Sequence, residues 1–71
     1  MLTHPPPADG GRKLVEFDEV VLLRPITKNG VTYSEGARGI VVWCHPDGLA
    51  FEVEFASPQP AVVTVLGQDL S

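Results

Sequence analysis

GIVVWCHPDGLAFEVEF, residues 39–55, is the stretch that decides the fold. Within it Leu49, Phe51, Val53 and Phe55 alternate with Ala50, Glu52 and Glu54, the two-residue period of a strand with one buried and one solvated face. Between the apolar runs lies HPDG, residues 45–48. Its proline pre-sets φ near about −65°, its aspartate accepts a local hydrogen bond, and its glycine takes the special conformation that follows. The stretch is therefore expected to be a hairpin, with 38–45 as one strand and 49–56 as the return. A turn that pairs His45 with Gly48 sets Cys44 opposite Leu49 and Val42 opposite Phe51. Ile40, Val42 and Cys44 then point inward, and Val41 and Trp43 outward. This register is the expected one because cysteine is readily buried; a bulged three-residue loop inverts the parity and turns Trp43 inward.

Outward from the hairpin, the chain keeps to short apolar runs separated by turn residues, the pattern of an all-β domain. EVVLLRPI predicts a strand over 19–24 ended by Pro25, whose missing amide suits a strand terminus. The preceding KLVEFDEV is expected to tuck Leu14 and Phe17 onto the core. From Pro25 to Gly36 runs a long loop with an Asn29-Gly30 turn, anchored by Val31 and Tyr33. AVVTVLG predicts a last strand over 61–66, and GQDL a single 3-10 turn. The expected architecture is a small SH3-like antiparallel barrel of four to five strands with a long early loop, because a sandwich takes about seven strands. Residues 13–71 form the domain. Residues 1–12, with Pro5, Pro6, Pro7, Gly10 and Gly11, are expected to be a disordered tail with polyproline II character.

The chain has 71 residues, a single cysteine and a formal net charge of −4. A chain this short buries only about 60% of its unfolded surface and needs support. One cysteine allows no internal disulfide, and His4, Cys44 and His45 are three ligands where a structural zinc takes four. Oligomerisation is the remaining common remedy. Arg12, Lys13, Arg24, Lys28 and Arg38 are scattered, which disfavours a phosphate backbone as partner. No apolar run approaches the roughly 18 residues of a membrane span, and MLTHPPPADGG lacks the pattern of a secretion signal. A cytoplasmic protein with no membrane partner is the expectation.

The reactive-looking residues read as structural. Cys44 and His45 are strand neighbours, which sends them to opposite faces, so a thiolate with its base is not expected. Glu52 and Glu54 share a face and are expected to be solvated. No glycine-rich phosphate loop precedes a helix. No catalytic, cofactor-binding or metal-binding residue is assigned, and the chain reads as a non-enzyme. It is the apolar surplus that carries information: Val20/Leu22 and Val21/Leu23 are both apolar, as are Val63/Val65 and Val62/Leu66. A sheet with one wet face shows polar residues there, so the surplus implies a second covered face. Self-association, with a dimer favoured, is expected through Val41, Trp43, Val62, Thr64 and Leu66, with a genetically linked protein as another possible partner. Two alternatives stand beside it: an RNA- or ribosome-associated barrel, and a small-molecule binder using His45, Cys44 and Glu52.

The order FDEVVLL, EGARGIVV, PDGLAFEVEF and VVTVLGQDL resembles a family of small, mostly bacterial proteins known as domain of unknown function 4926. Its members share a D-x-V-x-L opening, a G-x-x-G-x-V-V strand, an A-[FY]-E-V-E-F strand and a closing D-x-L. The likeness covers about Phe17 to Leu70 and is most specific in AFEVEF. It implies an SH3-like β fold and carries no established activity or catalytic residues. Members continue past the D-x-L, so a closing strand is expected to be missing after Ser71, leaving an open edge. The glycine-bracketed strand is also similar to the KOW-type barrels of ribosome and transcription factors, but the acidic balance opposes a transfer of RNA binding.

Overall fold

The computed structural model describes residues 13–71; the expected tail at 1–12 lies outside them. Six strands follow in order: β1 (Glu19–Val21), β2 (Ile26–Lys28), β3 (Val31–Tyr33), β4 (Arg38–Cys44), β5 (Ala50–Phe55) and β6 (Ala61–Leu66), then a 3-10 turn, Gly67–Asp69. β1, β4, β5 and β6 form an antiparallel sheet in that spatial order, and β2 with β3 forms a separate ribbon. The domain is thus all-β, as its short apolar runs require. No helix among the described residues is long and apolar enough to cross a membrane.

The 3-10 turn returns the chain to β1. Val21 and Ser71 exchange both backbone hydrogen bonds at 3.0 Å, Leu23 N donates to Asp69 O at 2.7 Å, and Leu22 bridges Leu70. The edge of β1 away from β4 is therefore occupied by residues 69–71. The sheet curls into a small barrel that stays open along β6, which pairs with β5 alone among the described strands.

The early loop contains the β2–β3 ribbon. Asn29 (φ 50°) and Gly30 (φ 78°) make its tight turn, a conformation that Asn-Gly adopts with little strain. The ribbon is fixed at its far end by Tyr33, which is buried against Phe55 with ring centroids 5.0 Å apart. Its hydroxyl donates to Gln59 O at 2.7 Å. Val20, Leu22, Val41, Phe51, Val53, Phe55, Val63, Val65 and Leu70 complete the core with Leu14. Each such side chain contributes roughly 1.5–3 kcal/mol on burial.

Several expectations are corrected. The hairpin pairs Cys44 with Phe51 and Trp43 with Glu52, but Val41 with Val53, leaving Val42 as an extra residue. This bulge keeps Cys44 inward and Trp43 outward but reverses the parity before it. Val41 is fully buried and Ile40 lies on the surface, so Val41 belongs to the core and is removed from the expected contact surface. Leu49 sits in the turn, not in β5, and is 67% exposed. Phe17 adopts a left-handed φ of 71° and is 75% exposed, whereas Leu14 is buried as expected. The cause is local: Phe17 N donates to Val41 O at 2.6 Å and Val41 N to Asp18 O at 2.9 Å. Two residues of the incoming segment thus oppose one of β4, and the ring is turned out.

Candidate functional site

The outer face of β4–β5–β6 is laid out in rows. Trp43 is level with Glu52, which is level with Thr64; one row along, Ile40, Glu54 and Val62 lie side by side; at the other end Ala50 faces Leu66. Trp43 (46%), Val62 (39%) and Leu66 (48%) are exposed, and Thr64 with them. Four of the five expected contact residues therefore share one surface.

The middle row is a connected polar unit. Glu52 and Thr64 form a pair in which neither residue bonds the other's backbone, the closer of the two antiparallel spacings. Thr64 Oγ1 donates to Glu52 Oε2 at 2.8 Å and Oε1 at 3.0 Å. His45, just past β4, brings Nε2 within 2.6 Å of Glu52 Oε2. A carboxylate only accepts, so this nitrogen carries the proton in the bond. The His45 ring meets Trp43 edge to face, with centroids 4.6 Å apart, a favoured aromatic geometry. The His45 hydrogen bond first, and the Thr64 bond second, hold the Glu52 carboxyl below its ordinary value.

Glu52 is thus half-buried and engaged, not simply solvated. The available signal was its place opposite Trp43, but the Val42 bulge hid that register. Cys44 points the other way: it packs against the core, and its Sγ lies 4.0 Å from Leu14 O. It does not join His45. Glu54 is exposed one row away.

A shallow depression of about 280 Å³ lies elsewhere on the sheet, lined by Glu19, Arg38, Gly39, Ile40, Glu54, Ala56 and Pro60. None of these is in the His45–Glu52–Thr64 unit. Among the described residues, no three of His, Cys, Asp and Glu gather as a metal-holding group.

Compared with known proteins, the chain matches no family model, no curated protein and no solved structure.

Proposed function

We propose that this domain is a non-enzymatic, cytoplasmic protein-interaction module that self-associates through the outer surface of β4–β6. The observation behind this reading is the exposure of Trp43, Val62 and Leu66 on one face. Of the two carboxylates on this face, Glu52 is engaged by His45 and Thr64, and Glu54 is exposed between Ile40 and Val62. Apolar surface of this kind marks an interface, and Trp43, at its β4 side, is of a residue type enriched among energetic anchors. No family model matches the chain and the family it resembles carries no established activity, so the reading rests on the surface. An RNA-binding role finds less support, because the five cations are scattered along the sequence and the net charge is −4. A small-molecule role draws less support, because the His45–Glu52 pair lies on the open sheet face and not among the residues of the depression.

Sedimentation velocity from micromolar to millimolar protein tests the proposal. The expected result is a concentration-dependent dimer, weakened about tenfold by Leu66→Ser, a loss of about 1.4 kcal/mol. A folded chain that stays monomeric throughout would overturn it.

A further inference from the structure

β6 ends the four-stranded sheet, and its sequence, AVVTVL, contains neither charge nor proline. An edge of this kind is a template for another strand. Hydrogen-bond parity fixes which backbone groups it offers. Gly67 N donates to Leu49 O at 2.8 Å, in register with the β5–β6 ladder, so the odd-numbered residues of β6 turn their polar groups to β5. Val62, Thr64 and Leu66 turn theirs away. The contact between Lys28 Nζ and Val62 O reports the same direction.

We propose that β6 pairs antiparallel with β6 of a second copy of this chain, about a two-fold axis at Thr64, joining two four-stranded sheets into one. This rests on the self-association reading and places the contact at the β6 side of that surface, with Trp43, two strands away on β4, outside it. In this register Thr64 faces Thr64 of the second copy, while Val62 faces Leu66 of the second copy and Leu66 faces its Val62. The V-x-T-x-L pattern is symmetric in character about its centre, so one strand supplies favourable partners for itself: a threonine pair and two aliphatic pairs. A foreign strand has no such constraint to meet, and the symmetry selects a second copy. The chain's net charge of −4 does not oppose the contact locally. β6 is uncharged, Glu52 beside Thr64 is engaged by His45, and the row that contains Glu54 continues through Val62 to Leu66 and Ala50 of the second copy, with no second carboxylate.

Lys28 is the competitor. Its ammonium occupies Val62 O, the acceptor that the Leu66 amide of the second copy would use. Edge lysines are a common guard against strand addition. Lys28 therefore sets the strength of pairing, and removing it strengthens the dimer.

The test uses the full chain with Cys44→Ser and one new cysteine at a time, treated with diamide, which oxidises two thiols to a disulfide and is itself reduced to the hydrazine. Directly opposed residues on the bonded spacing have Cα atoms about 5.5 Å apart, within disulfide reach. Thr64→Cys is expected to cross-link with itself. Val62→Cys and Leu66→Cys should cross-link with each other in a mixture and poorly alone. Lys28→Ala should tighten association severalfold by sedimentation. A protein that self-associates but shows neither the Thr64→Cys cross-link nor the Lys28→Ala effect overturns the edge pairing and leaves self-association standing. A chain monomeric at every concentration overturns both. Protection of the Val62, Thr64 and Leu66 amides from hydrogen exchange only on addition of a foreign peptide strand overturns the choice of a second copy.

Discussion

On the inner side of the sheet Val53 sits between Val41 and Val63; one residue along, on the outer side, Glu52 sits between Trp43 and Thr64. The inner row contains no polar side-chain atom and is buried. Only shape holds it, so its tolerance is set by volume. The outer row is ordered by directed contacts: one hydroxyl shared between the two carboxylate oxygens, an imidazole bond and an edge-to-face ring pair. Its tolerance is set by protonation and by what covers it. Neighbouring residues of the same strands thus answer to different physics, and each row should fail in its own way.

The inner side should show the largest effects. Phe55 is fully buried and packs on Tyr33, so Phe55→Ala is expected to cost about 3–5 kcal/mol in urea or thermal unfolding. A cost comparable to that of a surface substitution would show that the ribbon does not depend on the core. Gly39 tests the opposite sign of volume change. A Cβ there would lie 2.5 Å from Val53 Cγ1, 2.9 Å from Glu54 O and 2.9 Å from Phe55 Cε1. Because backbone as well as side chain is in the way, Gly39→Ala should destabilise by about 1–3 kcal/mol through overpacking. Unchanged stability would mean that β4 and β5 can separate at this point.

The outer row should respond more weakly and to a different variable. Hydrogen bonds from His45 and Thr64 lower the Glu52 pKa below 4.5 in the folded chain. The resulting stabilisation is full above that ordinary value and is lost as pH falls through the lower folded value. Glu52→Gln should therefore cost about 0.5 kcal/mol near neutral pH, with the gap to the natural chain closing in acid. A gap that is constant or widens below pH 4.5 would separate Glu52 from the linkage. Neither inner-side substitution introduces or removes a titrating group, so their costs should not close in the same way.

Where the sequence carries contrast, the structure follows it. AFEVEF, AVVTVL and the Asn-Gly and Pro-Asp-Gly turns each combine a period with a punctuating residue, and Phe51, Val53, Val63, Val65 and Tyr33 lie in the core accordingly. Contrast is missing in IVVW. Four apolar residues in succession give no parity, so nothing in them marks the extra residue at Val42, and simple alternation puts Val41 on the outer face where the structure buries it. Leu49 misled for the opposite reason: it continued the alternation of β5, yet the loop claims it, and its amide instead bonds Asp47 Oδ1 at 2.8 Å. Phe17 carries the side chain of a core residue and the backbone of a turn, and the turn wins. Of the polar unit, the composition of each strand was legible. The meeting of His45 with Glu52 was not, because it needs the register on both sides of the bulge.

That extra residue has one more consequence. Two residues of β4 answering one of β5 bend the strand and increase its twist, so the sheet has a bend built into β4 at Val42. Shortening β4 by Val42 would restore simple alternation and flatten the wall, and the direction in which the open seam along β6 faces would shift with it.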